Sequence, residues 1–341
     1  MCRFHFVIGL LAMGSAVPAQ QMAAGAPAIL EIDAQNIVSY ATDLFDASRF
    51  ATDPNLTTAA AVKNFRFVMA VGDIVTVNGK SPKGNLIARQ QAVGLSPTPS
   101  PGQGVADVVT SAVTEFLFEI QQADGTPVGN IHTLTLSGGA APIGLSSGAA
   151  PFGAPLEGNH VVAGGTGAFL GVRGQGASVV LPGNTGPRVA SITEDPAGRR
   201  AHGGGKVHFV YQLIPMARPE VIATANGPAI THSADFSLVS TANPGRPGET
   251  LSLWATGLGP TLPAVNLGHP FQANPLSTVN SPLELTVNGE PAEVIAAVGY
   301  PGSTNSYQVN FRIPADAMRG IGMIQLSAAW IKGPAVQIPI Q

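Results

Sequence analysis

The stretch FRFVMAVGDIVTV, residues 65–77, decides the fold class of this chain. Strict alternation with a period of two over such a length is typical of a β-strand with one buried face. The turn cluster GKSPKG at 79–84 follows it, and residues 86–95 have the pattern of a return strand. Together they predict a β-hairpin. Its apolar face consists of Phe65, Phe67, Met69, Val71, Val75 and Val77.

The same pattern recurs after this hairpin. Residues 112–121 alternate between apolar and polar side chains, and Asp124-Gly125 is a strong hairpin-turn signal before a return strand at 128–136. Further short strands bounded by Gly and Pro follow to the end of the chain, and no long stretch has a helical period. The sequence therefore predicts an all-β fold made of barrels or sandwiches.

Composition restricts the class of protein further. The 341 residues include 41 Gly and 29 Pro, which argues against a helical bundle, and 45% are hydrophobic, which argues against disorder. Only 11% are charged and the net charge is -3, so the electrostatic basis for nucleic-acid binding is missing. The length predicts two domains, and the stretch PMARP at 215–219 has the composition of a junction.

The N-terminus has the layout of a secretory signal. A weakly basic start precedes the apolar run 6–13, and Val17-Pro18-Ala19 offers small residues for cleavage, which predicts a signal peptide over residues 1–19. The apolar run is too short to span a bilayer, and no later segment is long and apolar enough either. The only cysteine, Cys2, lies inside this leader. We expect a cysteine-free protein that is secreted to the periplasm or the extracellular space.

One charged pair in the first hairpin suggests a site. Asp73 is the only charge on the apolar face of residues 65–77, and Arg89 shares a face with apolar residues of the return strand. If the turn is centred on Ser81, Asp73 and Arg89 face each other directly. An unpaired buried carboxylate is costly, so a partner is expected. The pair is either a structural ion pair or a polar group inside an apolar ligand cavity.

Residues 162–174 (VAGGTGAFLGVRG) resemble the GGTG-aromatic…ARG motif of dirigent and allene-oxide-cyclase-like barrels. Residues 84–91 (GNLIARQQ) are similar to the second-strand region of that superfamily. The resemblance implies an eight-stranded barrel over residues 20–215 whose interior holds small apolar molecules, and it allows a homo-oligomer. We expect a structural role for the motif residues Gly164, Gly165, Thr166, Gly167, Phe169, Arg173 and Gly174.

A second resemblance covers the C-terminal part. The stretch PGETLSLWATGLGP at 247–260 resembles the opening of the Ig-like domain that ends many uncharacterised secreted bacterial proteins. Later landmarks of that domain are similar at 285–292 and 307–314. The resemblance implies an Ig-like (IPT-like) β-sandwich over residues 219–341, with display or adhesion as its role.

The histidines do not have the spacing of a metal site. No pair follows H-x-x-x-H, and we expect solvated or hydrogen-bonded side chains with no metal and no cofactor. The six outside the leader are His132, His160, His202, His208, His232 and His269.

These patterns leave three interpretations of function. The leading one is a secreted, non-catalytic binding protein whose barrel holds a small apolar ligand and whose Ig-like domain contacts a cell surface or protein. The alternative is a dirigent- or cyclase-type enzyme in which Asp73 and Arg89 orient a reactive small molecule. The third is a purely structural or adhesive module. A wide, dry cavity favours the first two, and a barrel filled by Phe and Met favours the third.

Overall fold

A computed structural model describes most of the chain beyond the leader, and its described residues are all-β. They contain no α-helix, only one turn of 3-10 helix at Pro196–Gly198. Within these ranges no helix is long and apolar enough to cross a membrane. The predicted leader and Cys2 lie outside them. The described residues are 27–43, 65–95, 101–102, 109–138, 156–179, 187–191, 194–266 and 268–341.

Eight antiparallel strands close into a barrel in the N-terminal part, as the alternating patterns and the first resemblance predict. Strand β1 pairs with β2 on one side and with β9 on the other, which closes the ring β1-β2-β3-β4-β5-β6-β7-β9. A short ninth strand, β8, runs parallel to the second half of β1. The strands are β1 (Ala28–Asp43), β2 (Phe65–Val77), β3 (Lys83–Leu95), β4 (Val109–Gln121), β5 (Pro127–Gly138), β6 (Leu156–Gly167), β7 (Arg173–Val179), β8 (Arg188–Ser191) and β9 (Gly205–Ile214).

The barrel interior combines small residues on one wall with large rings on the other. On β2 the residues in the barrel core are Ala70, Ile74 and Val77, and Gly72 is also buried. Of the odd-numbered apolar face that the sequence favours, Val77 therefore enters the core, whereas Met69 is exposed and Val71 packs against a separate cluster. Phe118 from β4 and Tyr211 from β9 are fully buried. Strand β8 lies beside β1 in the same sheet, and Val71 of β2 packs against a small separate cluster formed by Val38, Tyr40 and Ala190.

The two ends of the barrel differ. The short hairpin connections 78–82, 122–126 and 168–172 all lie at one end, together with the start of β1 and the end of β9. At the opposite end lie the ends of β1, β3, β5 and β7 and the starts of β2, β4, β6 and β9.

The C-terminal part is an 11-stranded sheet that curls around its own core. Its main path is β10-β14-β19-β18-β17-β20-β21, and its inward side chains form one apolar cluster that includes Leu253, Val309 and Phe311. The strands are β10 (Glu220–Val221), β13 (Ile230–His232), β14 (Thr250–Thr256), β15 (Thr261–Leu262), β16 (Thr278–Val279), β17 (Leu283–Val287), β18 (Glu290–Gly299), β19 (Tyr307–Arg312), β20 (Gly320–Ala328), β21 (Ile331–Lys332) and β22 (Val336–Ile340), beside the separate two-stranded ribbon β11 (Ala223–Thr224) and β12 (Gly227–Pro228).

The curled sheet closes the hairpin end of the barrel. The turn between β20 and β21 places Ala329 and Ile331 in the barrel's own core cluster. Ala329 and Trp330 both have positive φ there, 47° and 65°, which makes this turn tight. Nearby, Asn280 accepts a hydrogen bond from Gln122 at 3.1 Å through its Oδ1 and donates to the carbonyl of Pro127. The barrel core is therefore completed by residues that follow the last barrel strand, β9, by more than a hundred positions in the sequence.

A buried histidine fixes a loop of the curled sheet. His232 Nδ1 lies 2.6 Å from Glu249 Oε1, and its Nε2 lies 3.2 Å from the carbonyl of Asn243. Burial alone would lower the pKa of His232, but the Glu249 carboxylate and the Asn243 carbonyl outweigh it, so the pKa is raised.

Stability should depend on pH through this histidine. A folded-state pKa above the unfolded value of about 6.5 means that the contribution is present below that pH and lost as pH rises through the folded pKa. We expect the melting temperature of the wild type to fall relative to that of His232→Gln between about pH 6 and pH 8. Parallel melting curves of the two proteins across that range would contradict this.

Candidate functional site

A row of buried polar side chains crosses the inside of the barrel. The strand register places Thr114 opposite Thr135, and Thr135 opposite His160. His160 lies opposite Gly176, which lies opposite Tyr211. Gly176 lets the last two side chains meet, because a Cβ at that position would lie 2.3 Å from Tyr211 Cδ1. We call Thr114, Thr135, His160 and Tyr211 the polar row.

Aromatic rings surround the polar row. Phe116 stacks on the His160 imidazole with ring centroids 5.0 Å apart and an interplanar angle of 18°. The rings of Phe209 and Phe118 pack edge to face with centroids 5.0 Å apart, and those of Phe118 and Tyr211 do so with centroids 5.4 Å apart. These are the offset and edge-to-face geometries that aromatic pairs prefer. The row therefore lies in a largely apolar box.

His160 and Tyr211 form a direct hydrogen bond. His160 Nδ1 lies 2.9 Å from Tyr211 Oη, and which group donates depends on the imidazole tautomer. Burial lowers the pKa of His160 to about 4. Burial also raises the pKa of Tyr211, an effect that the neighbouring Thr133 hydroxyl opposes only partly. Both side chains are therefore neutral near pH 7, and the pair can offer donors and acceptors but no net charge.

Toward the hairpin end, apolar side chains fill the barrel. Phe118, Ile120, Ile131 and Phe169 are essentially inaccessible to solvent. The structure instead shows two clefts at the junction with the curled sheet, of about 1270 Å³ and 480 Å³. At the other end of the barrel, Phe116 is only partly buried although it points inward.

The expected Asp73–Arg89 pair does not form. The register of β2 and β3 places Asp73 opposite Asn85 and Met69 opposite Arg89. The turn is not centred on Ser81: Asn78 and Gly79 form a two-residue turn, with φ of 47° and 72° and Val77 bridged to Lys80. Asn-Gly is the strongest short hairpin signal in a sequence, and it moves the register away from the predicted one.

Asp73 lies on the outer face of the barrel, in an ion-pair network. Its Oδ1 accepts from Arg199 Nη2 at 2.6 Å, and both carboxylate oxygens accept from Arg200 at 3.0 Å. Asn36 Nδ2 donates to Oδ2 at 2.9 Å. Burial alone would raise the pKa of Asp73, but hydrogen bonds from Arg200, Arg199 and Asn36 outweigh it and hold the pKa far below its usual range.

Arg89 also lies on the outer face. Its side chain is 64% exposed and pairs with Glu115 on β4. Neither Asp73 nor Arg89 therefore lines the barrel interior, which corrects the expectation that they share a ligand cavity. The dirigent- or cyclase-type alternative relied on this pair and loses its orienting groups.

The glycine-rich motif forms the hairpin between β6 and β7 at the hairpin end of the barrel. Gly165 has no room for a Cβ, which would lie 2.6 Å from the carbonyl oxygens of Asn130 and Phe169. Arg173 donates to the carbonyl of Ala163 at 2.6 Å, and Phe169 enters the barrel core. The Thr166 hydroxyl donates to Asn130 Oδ1 on β5 at 2.7 Å. Gly164, Gly167 and Gly174 belong to the same hairpin.

Sequence reasoning placed His160 only among the hydrogen-bonded or solvated histidines, and missed Tyr211 altogether. The signal was present in β9, where Val207, Phe209, Tyr211 and Leu213 alternate with polar residues. The alternation does not tell which strands are neighbours. The pairing of β6 with β7 and of β7 with β9 brings His160 and Tyr211 together.

In the part of the chain that the structure describes, no three His, Cys, Asp or Glu side chains come together as a metal site would require. No protein-family model matches this chain, and no curated protein matches its sequence.

Proposed function

We propose that this chain is a secreted, non-catalytic binding protein that takes a small apolar ligand at the polar row of its barrel. In this proposal the barrel is of the dirigent and allene-oxide-cyclase-like type, and the curled sheet is an Ig-like sandwich that serves display or adhesion. The ligand is a planar, mostly apolar molecule with one hydroxyl or carbonyl group. His160 and Tyr211 hydrogen-bond that group, and Phe116 and Phe209 contact its ring.

The observation that carries the proposal is the polar row itself. Polar side chains in an apolar core cost free energy unless they are hydrogen-bonded, and apolar residues of similar size would fill a barrel more simply. Ligand sites combine mostly apolar walls with a few convergent polar groups, which is the composition of this region. Phe116 and Val207, both incompletely buried, are on the side from which a ligand would enter.

The test is calorimetric titration of the full chain with 2-naphthol and with 2-methylnaphthalene, which has the same shape without the hydroxyl. We expect 2-naphthol to bind more tightly, and Tyr211→Phe to weaken its binding by about fivefold while leaving that of 2-methylnaphthalene unchanged, because one hydrogen bond is worth about 1 kcal/mol. Thr135→Val is a second variant of the same row, and Tyr300→Phe, on the exposed surface, is the control.

A second candidate function is a packed structural module, and the observation that favours it is the filling of the barrel toward its closed end. If neither naphthalene derivative binds the wild type, the ligand proposal fails and this candidate replaces it. Equal binding of the two compounds would also overturn the assigned role of His160 and Tyr211.

A further inference from the structure

An exposed aromatic residue of the curled sheet has a costly backbone conformation. Phe236 has φ of 58°, in the left-handed region that bulky residues rarely adopt. Such a conformation costs free energy, and burial of the ring does not compensate for it. The side chain is 59% exposed. Residues with strained backbone conformations cluster at functional sites.

The loop that presents Phe236 is held rigidly. Asp235 Oδ1 accepts bonds from the backbone N–H and the hydroxyl of Ser237, at 2.9 Å and 2.7 Å. Asn243 Nδ2 donates to the Ser237 hydroxyl at 2.9 Å, and buried His232 anchors the base of the loop. A binding residue held in place before its partner arrives loses little entropy on binding.

Phe236 belongs to a wider surface on the outer face of the sheet. Its ring lies beside that of Trp254, with centroids 6.3 Å apart and planes at 58°. Trp254 is directly opposite Gln308 on β19, and Asn310 lies on the same face of that strand. We call Phe236, Trp254, Gln308 and Asn310 the aromatic–amide face.

The two amides are partly free to bind something else. Asn310 Oδ1 accepts bonds from Gln308 Nε2 and from the Ser252 hydroxyl, both at 3.0 Å. Among the described residues, these contacts leave Asn310 Nδ2 and Gln308 Oε1 without a protein partner. A free amide donor and a free amide acceptor therefore lie next to two rings.

The charged side chains of this face lie at its margins. Glu220 on β10 is opposite Thr256, the next residue after Trp254 on the same face of β14. The carboxylate of Asp235, next to Phe236, accepts hydrogen bonds from the backbone N–H and the hydroxyl of Ser237. Arg312 and Glu293 lie at the far end of the strands and pair with each other at 2.9 Å. Between these charges, two rows of uncharged residues cross β14, β19 and β18. The first row is Trp254, Gln308 and Val298, and the second is Ser252, Asn310 and Ala296.

We propose that the aromatic–amide face binds a neutral polysaccharide. A hexose ring has C–H groups on one side, which pack against the electron-rich faces of Phe236 and Trp254. Its hydroxyls both donate and accept, which matches the free Asn310 Nδ2 and Gln308 Oε1. The arginine at the margin of this face, Arg312, already pairs with Glu293, so an anionic partner would have to compete with that carboxylate. The inference concerns the curled sheet and does not depend on a ligand in the barrel.

The test is affinity electrophoresis of the full chain in native gels that contain hydroxyethylcellulose, laminarin or amylopectin. We expect retardation by at least one of them, and at least a tenfold loss of affinity in Phe236→Ala and in Trp254→Ala. Phe236→Trp keeps a ring and should retain binding. Met318→Ala, at an exposed position outside this face, is the matched control.

Phe236→Gly separates binding from folding, because glycine adopts positive φ without strain. We expect this variant to melt at the same or a higher temperature than the wild type and still to lose polysaccharide binding. The proposal is overturned if none of the three polymers retards the wild type, or if the aromatic variants bind as well as the control. A large drop in melting temperature for Phe236→Gly would identify Phe236 as a packing residue and would also overturn it.

Discussion

Asp73→Asn is expected to destabilise the chain by about 3–5 kcal/mol, the usual cost of removing one partner from a buried ion pair. Asp73 and Arg199 are only 13% and 11% exposed, and their bond of 2.6 Å connects β2 to the segment that covers the outside of the barrel. Without the carboxylate, the buried guanidinium of Arg199 keeps its hydrogen bond to the Asn36 carbonyl but loses its ion-pair partner. Urea unfolding of the full chain, followed by circular dichroism, measures the loss.

Arg89→Met is the matched control, since it removes an arginine from the same outer face. Arg89 is mostly exposed, and an exposed pair such as Arg89–Glu115 contributes at most about 1 kcal/mol. Similar losses of stability in the two variants would show that Asp73 does not hold the segment between β8 and β9 that contains Arg199.

The Asp73 contribution should also depend on pH. A carboxyl whose pKa is lowered on folding stabilises the folded state above its unfolded pKa of about 4, and this stabilisation is lost as pH falls toward the folded pKa. The difference between the wild type and Asp73→Asn is therefore expected to shrink below about pH 4.

Ile331→Ala should destabilise the chain by about 2–4 kcal/mol, as is typical of truncating a buried isoleucine. Ile331 comes from the curled sheet but packs in the core of the barrel, where it is 3% exposed. Because the two parts share this core, we expect the barrel to unfold at a lower temperature although no barrel residue has changed. Scanning calorimetry measures the shift.

Ile321→Ala provides the comparison for this variant. Ile321 lies on β20, the strand that leads to the same turn, but it is 59% exposed. Its truncation should change stability by no more than about 0.5 kcal/mol. A barrel transition that does not move in Ile331→Ala would mean that the closing turn adds nothing to the barrel's stability.

Local patterns in the sequence predicted the strands well. Alternation identified β2 and β4, and Asp124-Gly125 marked the turn between β4 and β5, where Gly125 has φ of 95°. The glycine motif was expected to have a structural role, and its Phe169 does lie in the barrel core. These features depend on residues close together in the chain, so they can be read from it directly.

Sidedness and register were harder to predict. On β2 both faces carry apolar residues, so alternation alone could not tell whether Val71 or Ile74 faces the core. The tertiary structure places Ile74 in the barrel core and Val71 against the separate cluster of Val38, Tyr40 and Ala190. A small shift of one turn was enough to separate Asp73 from Arg89.

By itself, then, the sequence of this chain determined an all-β protein, most of its strands and the tight hairpins between them, because turn chemistry and a period of two are local properties. Only the tertiary structure decided that Asp73 pairs with Arg199 and Arg200, that His160 meets Tyr211, and that Ile331 completes the barrel core. Each of these contacts joins residues 51 or more positions apart. Such contacts follow from strand order and barrel closure, which no local pattern encodes.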